Sequence, residues 1–304
     1  MKIRKALFLF FTGLLFLAGC QGGGRQEAAG LKIQTSFYPI YNLTKMVSGD
    51  LNQVEIVNAK QSIHSFEPAA SDLVKIEDSD VFIYHSHILE GWTKNLADNL
   101  HGKDVTVVEA GANLKMTRVP GLEDIEPGPG QDASNLLDPH TWLDPILVAD
   151  EAQAIAEALG KKDPEHKDTY LKNAEKVKTD AEALVEKYRP QFDQLEHKTF
   201  VTQHTAFNYL AQRFGLKQLG IAGISDSQEP SAKQLAEVED FVKEYHVKTI
   251  FTESQASEHL AQVISQATGA ELKPLNPLEV APDNEKDILE NIAEDLETLA
   301  TSLK

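Results

Sequence analysis

The chain has 304 residues, of which 41% are hydrophobic and 25% are charged, and its formal net charge is -18. These proportions are those of a globular protein, whereas the negative charge disfavours nucleic-acid binding, which needs clustered lysine and arginine. The single cysteine excludes an internal disulfide and also a thiolate metal site in the folded body.

The N-terminal segment reads as an export signal followed by a lipid anchor. Residues 1–19 have a basic start and an apolar run from 6 to 17, which is shorter than the about 20 apolar residues of a membrane span. Leu17-Ala18-Gly19-Cys20 has the form of a lipobox, in which Cys20 is lipidated and becomes the mature N-terminus. The alternative is an ordinary secretory signal with a chance cysteine. Residues 20–30 hold several glycines and predict a flexible tether.

Short β-branched runs then alternate with stretches of helical period, a pattern typical of α/β units around parallel sheets. The folded body of about 270 residues is larger than a single hydrophobic core usually supports. We therefore expect two similar lobes, residues 31–163 and 197–304. Each lobe should hold a mostly parallel four-stranded sheet with flanking helices. The predicted strands are Leu31–Ser36, Val54–Asn58, Asp80–His85, Val105–Glu109, Thr199–Gln203, Leu216–Ile221, Thr249–Thr252 and Glu271–Leu275.

The segment 164–196 joins the two predicted lobes. Apolar residues recur there at three- and four-residue steps among many charges, which predicts one long amphipathic helix entered through Asp163-Pro164. We expect Pro190 to end or kink it. Before it, the segment from Gly111 to Asp138 has no periodicity and several prolines and glycines, which indicates a functional or mobile loop.

Four residues that could bind a metal stand where predicted strands end. His64 follows the second strand, His204 the fifth and Glu279 the eighth, while His140 closes the long loop after the fourth. Ligands of open α/β sheets bind beyond the carboxyl ends of the strands, so we expect two residues from each lobe to meet across a cleft. Taken singly, each histidine has the alternative of a structural hydrogen-bonding role.

These residues lie in motifs that resemble those of the metal-binding solute receptors of ABC importers, the zinc and manganese group. Within that group the chain is similar to the streptococcal zinc lipoproteins also described as laminin-binding adhesins. The matching pieces are Thr35-Ser36-Phe37-Tyr38-Pro39, His64-Ser65-Phe66-Glu67-Pro68, Asp138-Pro139-His140-Thr141-Trp142-Leu143-Asp144-Pro145, His204-Thr205-Ala206-Phe207 and Leu275-Asn276-Pro277-Leu278-Glu279.

The resemblance implies one Zn²⁺ per chain, bound by His64, His140, His204 and Glu279. Three imidazoles and one carboxylate suit zinc, while manganese prefers more carboxylate oxygen. It also implies a monomeric receptor, anchored by lipid on the outer face of a Gram-positive cell membrane, that delivers zinc to the permease of an ABC importer. Laminin of the host is a further expected partner.

Other residues are candidates for supporting roles. If His85 and His87 lie on a strand, two residues apart, they point the same way and could form an accessory metal site; the alternative is that they line the mouth of the cleft. Metal-bound histidines usually donate their second N–H to a carboxylate or carbonyl. Residues expected to support the ligating rings are Trp142, Asp144, Phe207 and Glu253.

Three other functions compete with zinc capture: a manganese receptor of the same group, a laminin adhesin and a zinc hydrolase. The chain lacks a His-Glu-x-x-His motif, and the sequence after His85-Ser86-His87 does not complete the histidine and aspartate pattern of metal-dependent lactamases. A site with four protein ligands is closed, whereas a catalytic zinc keeps a position for water. We therefore expect a binding protein and not an enzyme.

Overall fold

The computed structural model describes residues 30–100, 102–119, 136–222, 231–253 and 259–304. The predicted signal peptide, the lipidation site Cys20, almost all of the tether and the middle of the long loop lie outside these residues. Within them, no helix combines the length and the apolar character needed to cross a membrane.

Two four-stranded parallel sheets confirm the predicted fold class. The first contains β1 (Lys32–Thr35), β2 (Gln53–Ile56), β3 (Val81–Tyr84) and β4 (Thr106–Glu109) in the order β2-β1-β3-β4. The second contains β5 (Thr199–Thr202), β6 (Lys217–Gly220), β7 (Thr249–Thr252) and β8 (Glu271–Pro274) in the order β6-β5-β7-β8. The order is the same in both, so the carboxyl ends of each sheet present equivalent loops.

Helices flank both sheets. They are α1 (Tyr38–Ser48), α2 (Ala70–Glu77), α3 (Leu96–Asn99), α4 (Pro145–Lys162), α5 (Lys167–Asp193), α6 (Asn208–Arg213), α7 (Ala232–Glu244), α8 (His259–Thr268) and α9 (Ile288–Ser302). Local sequence explains several ends. Pro39 lies in the first turn of α1, and Gly49 ends that helix with φ +57°, a conformation that glycine adopts at little cost. Asp287 and Glu290 form a reciprocal capping box at the start of α9.

The long linking helix is present as α5, but its start differs from the prediction. Asp163 and Pro164 do not open it; they end α4, and α5 begins at Lys167. The Asp163 carboxylate accepts hydrogen bonds from the His166 ring and the Tyr170 hydroxyl, both at 2.7 Å, and so closes the turn between the helices. Pro190 does not end α5 either, since the helix continues to Asp193.

The hydrophobic core is shared between the lobes. Its largest cluster holds residues of the first sheet, such as Ile33, together with Phe200 of the second sheet and Leu296 of α9. Helix α5 packs on α1 and α4 of the first lobe and on α9 of the second. The two lobes are therefore joined by helix packing as well as by the chain itself.

Candidate metal centre

Three histidines and one glutamate meet at the carboxyl ends of the two sheets. One side-chain nitrogen or oxygen from each of His64, His140, His204 and Glu279 lies within 4.8 Å of the other three, and the group could hold a metal ion. Among the described residues, these four are the sole cluster of at least three such side chains. His140, His204 and Glu279 are buried, and the His64 side chain is 8% exposed.

The separations between these atoms fit a tetrahedral ion. His64 Nε2 is 3.2 Å from both Glu279 Oε1 and His140 Nε2, and Glu279 Oε1 is 3.1 Å from His204 Nε2 and 3.5 Å from His140 Nε2. Ligands placed about 2.0–2.1 Å from zinc in a regular tetrahedron are about 3.3–3.4 Å apart. Four of the six separations thus match the edges of such a tetrahedron, and all six lie within 4.8 Å.

Each ligand side chain is placed by the loop that carries it. His64 lies in a short 3-10 turn, Ile63–Ser65, which follows a loop closed by two hydrogen bonds of 2.9 Å between Asn58 and Gln61. His140 precedes a second 3-10 turn, Thr141–Leu143. The loop of His140 is tied to the other lobe by the Tyr209 hydroxyl, which donates to Asp138 O at 2.8 Å.

Two of the ligating rings are held by carboxylates on the side away from the centre. His140 Nδ1 is 2.8 Å from Asp138 Oδ1, and His204 Nδ1 is 2.7 Å from Glu253 Oε1. Each carboxylate favours a proton on Nδ1, so Nε2 is the ring atom that faces the centre and can bind a metal once it carries no proton. Glu253 was among the predicted supporting residues. Asp138 was not, although it stands two residues before His140.

The charges at the centre shift the pKa values of three of these residues. Burial favours the neutral form of Glu279, but hydrogen bonds from His140, His204 and His64 outweigh it and hold the pKa of this carboxyl well below its usual value. Burial likewise opposes protonation of His204, yet the charge of Glu253 and hydrogen bonds to Glu253 and Glu279 raise its pKa to about 10. The pKa of His140 is raised despite its burial, through Asp138 and Glu279. The centre therefore attracts positive charge.

The other predicted supporting residues have different roles. Asp144 caps α4 by accepting from Ile146 N and pairs with Arg213 at 2.9 Å, so it supports no ligating ring. Phe207 is fully buried in the core, and within the described chain it makes no ring contact with the histidines. Trp142 does support one ring, because its indole packs against His140 with centroids 5.1 Å apart.

His85 and His87 lie beyond the strand on which the expectation of a shared direction depended. Strand β3 ends at Tyr84, so the strand alternation does not extend to them. His85 is fully buried, with Nε2 2.8 Å from Pro139 O and Nδ1 3.3 Å from Glu151 Oε1. The His87 side chain is 45% exposed and contacts Glu109 at 2.8 Å. The two rings thus have separate carboxylate partners.

A two-lobed α/β body with four metal-binding side chains between its sheets defines the class of solute-binding receptors for metal ions. Residues 33–302 match the family described as ZnuA, zinc-uptake complex component A, periplasmic. The chain belongs to this family, which is a solute-binding family of zinc uptake and not an enzyme family.

Individual relatives agree with this assignment. The chain is 36% identical to zinc-binding lipoprotein AdcA of Streptococcus pneumoniae serotype 4 over 99% of its own length, but it spans 60% of that protein. It is 33% identical to high-affinity zinc uptake system protein ZnuA of Bacillus subtilis, covering 94% of this chain and 92% of that one.

Solved structures agree as well. The laminin-binding protein Lmb of Streptococcus agalactiae, described as bifunctional with adhesin and metal-transporting activity, is 50% identical with a TM-score of 0.83. The match covers 90% of this chain and all of that one. A zinc-bound mutant variant of AdcAII from Streptococcus pneumoniae is 54% identical with a TM-score of 0.85, over 90% and 99% of the two chains.

Proposed function

We propose that this protein captures one zinc ion with His64, His140, His204 and Glu279 and delivers it to the membrane permease of an ABC importer. The observation that carries the proposal is the convergence of the four ligand atoms within 4.8 Å at the carboxyl ends of both sheets. The proposal is supported by relatives whose names describe zinc binding and zinc uptake.

The donor set favours zinc over manganese. Imidazole nitrogen is a borderline ligand that suits zinc, while manganese is better served by carboxylate, carbonyl and water oxygen. Manganese reception within the same group is the alternative. A His204→Glu variant, which exchanges a nitrogen for a harder oxygen, should lower the ratio of zinc affinity to manganese affinity in competition titrations. An unchanged ratio would argue that His204 is not a ligand.

Capture, and not hydrolysis, follows from the same geometry. Four protein ligands complete a tetrahedral zinc site, whereas a catalytic zinc needs an open position for water. The zinc ion is therefore the cargo, and the side chains around it need to bind and release it. We accordingly propose that the protein catalyses no reaction of its own.

Elemental analysis of protein purified without added metal tests the proposal directly. We expect one equivalent of zinc per chain, removable by a chelator and restored by adding zinc. Stoichiometric manganese in place of zinc would favour the alternative receptor. Protein that binds neither ion after chelation and reloading would refute metal capture.

We propose further that residues 1–19 are removed and that a lipid on Cys20 anchors the receptor outside the cell, with 20–30 as tether, 31–163 and 197–304 as lobes and 164–196 as linker. Relatives named as lipoproteins support this. A Cys20→Ala variant should fail to incorporate labelled palmitate. Equal labelling of both proteins would contradict the anchor.

Binding to laminin is a second candidate function. It rests on the 50% identity to a streptococcal protein described as a laminin-binding adhesin. Equilibrium binding of the lipid-free protein to immobilised laminin, with and without zinc, tests it. Saturable binding would support an adhesive role alongside metal capture, and its absence under both conditions would exclude that role.

A further inference from the structure

Glu279 follows a residue in an unusual backbone conformation. Leu278 has φ +57°, in the left-handed region that residues other than glycine adopt infrequently and at a cost in free energy. Its side chain is fully buried. Such a conformation persists where surrounding contacts enforce it, so the contacts on the preceding residues decide where the Glu279 carboxylate lies.

The three residues before Glu279 are each held by a hydrogen bond. Asn276 N donates to Asp295 Oδ1 of α9 at 3.0 Å. Leu278 N donates to the side-chain oxygen of Asn276 at 2.9 Å. Between them, Pro277 O accepts from the Trp142 indole Nε1 at 2.8 Å. Two of these contacts come from the second lobe, and the third comes from the loop that carries His140.

Trp142 thus contacts the ligand loops of both lobes. Its ring lies 5.1 Å from the His140 ring between centroids, while its N–H bonds the residue two positions before Glu279. The ring also packs edge-to-face against Phe37 and His85, with centroids 5.1 and 5.2 Å away and planes nearly perpendicular. Fully buried and packed in this way, the indole has little freedom to follow a moving partner.

We infer that Trp142 is a positioning residue that fixes the Glu279 carboxylate relative to His140 by holding the left-handed turn of the opposite lobe. The inference rests on the proposed function, because it concerns the same four ligands. Without the indole N–H, Pro277 O loses its partner and the strained turn relaxes. A displaced Glu279 then binds the metal in a distorted site, since ligand geometry depends on the shell that supports it.

The chain offers a matched control, because Trp92 is its other tryptophan. Trp92 packs between the rings of Phe66 and Phe82, and its indole nitrogen has no hydrogen-bond partner in the described structure. Trp142→Phe and Trp92→Phe therefore delete the same atoms from an aromatic environment. Of the two substitutions, Trp142→Phe is the one that removes a hydrogen bond to a loop that carries a ligand.

Three measurements on the otherwise intact protein test the inference. They are the rate of zinc release to an excess chelator, the visible spectrum of the cobalt(II)-loaded protein, and hydrogen exchange of residues 275–280 without metal. We expect Trp142→Phe to release zinc at least about 10-fold faster, an effect typical of lost supporting contacts, to alter the cobalt spectrum and to speed exchange in that segment. Trp92→Phe should match the parent in all three.

A second variant tests the same turn independently, in case Trp142→Phe does not fold. Asn276→Ala, at a half-buried position, removes the acceptor of Leu278 N from within the turn. It should alter the cobalt spectrum and the exchange of residues 275–280 in the same direction. Parent-like spectra and exchange in both Trp142→Phe and Asn276→Ala would overturn the inference and leave zinc capture intact. A parent protein that binds neither zinc nor cobalt would instead refute the proposed function.

Discussion

His140 and His204 are supported by the same arrangement in two lobes, but the arrangement is built differently in each. In both cases one carboxylate oxygen meets the ring Nδ1 and the backbone N–H of the histidine. Asp138 Oδ1 lies 2.8 and 3.0 Å from these atoms of His140, and Glu253 Oε1 lies 2.7 and 3.2 Å from those of His204.

The difference lies in the distance along the chain. Asp138 precedes its histidine by two residues, whereas Glu253 is 49 residues from His204 and directly follows β7, a neighbour of β5 in the sheet. The first pair can move as one unit with its loop. The second pair exists when the sheet is assembled and is fixed by it. The ring of His140 is therefore supported from within its own loop, and the ring of His204 is supported by the tertiary fold.

Replacing a ligand should have the largest effect. His140→Ala and His204→Ala each remove an imidazole, and zinc affinity should fall by more than the about 10–100-fold typical of supporting residues. Each also leaves a buried carboxylate without its partner, so the melting temperature of the metal-free protein should fall. Competition with a chelator of known affinity and thermal unfolding measure the two effects. Near-parental zinc affinity in either variant would remove that histidine from the centre.

The supporting carboxylates should come next. Asp138→Asn and Glu253→Gln should each weaken zinc binding by about 10–100-fold, since both remove the charge that orients a ligating ring. Asp144→Asn is the matched control, because Asp144 lies close to His140 in the chain but caps a helix and pairs with Arg213. Asparagine caps a helix as well as aspartate, so this variant loses only the charge of the Arg213 pair; it should lower stability by at most about 1 kcal/mol and change affinity little. Equal losses of affinity in all three would show that charge in this region acts without specificity.

The release of protons when zinc binds should give a smaller effect that distinguishes the two lobes. The charge of Glu253 raises the pKa of His204 to about 10, so we expect His204 to carry a proton at neutral pH in the metal-free protein and zinc to displace it. That raised pKa stabilises the metal-free protein fully below the unfolded histidine pKa of about 6.5, and the stabilisation is lost as pH rises through about 10. Zinc affinity should therefore increase with pH over this interval.

Calorimetry in buffers of different ionisation enthalpy counts the protons released. Glu253→Gln should reduce the number, because it removes the charge that raises the pKa of His204, and Asp144→Asn should not. The lowered pKa of Glu279 makes the stability of the metal-free protein depend on pH in the opposite sense. Its stabilisation is present above the ordinary carboxyl pKa and is lost as pH falls through the lower folded value. An unchanged proton count in Glu253→Gln would contradict this account.

The smallest effect should be seen in hydrogen exchange. Because the support of His140 is local, zinc should protect residues 136–140 more than residues 202–206, whose carboxylate partner is held by the sheet. Protection in α5 should change least, because sharp bending of a long helix needs a specific cause such as an internal proline, and Pro190 lies near its end. A metal-dependent change centred on α5, with residues 136–140 unaffected, would indicate hinge motion between the lobes.

Local sequence patterns predict much of the fold. Seven of the eight strands lie inside their predicted ranges and β2 is displaced by one to two residues, because β-branched runs bounded by turn residues carry a local signal. The start of α5 was misplaced since an Asp-Pro pair suits the end of one helix as well as the start of the next. The predicted strand reached His85, whereas β3 ends at Tyr84, so strand alternation does not apply to His85 and His87.

The candidate centre was predictable in part. The four converging residues follow from strand-end placement together with resemblance of motifs. The support by Glu253 is non-local, so its pairing with His204 has no local signal. Asp138 could have been found from its position beside His140. The left-handed Leu278 and its contact through Pro277 to Trp142 depend on packing between lobes, which no spacing in the chain encodes.

Helix α9 has a consequence for how the chain folds after synthesis. Tyr38, at the start of α1, hydrogen-bonds Asn291 of α9 at 3.2 Å and Lys286 O at 3.4 Å, and Ile288 N donates to Asn42 at 2.9 Å. These contacts join residues about 250 positions apart, and such non-local contacts slow folding. The contacts between α1 and α9 can therefore form only after the second lobe has been synthesised.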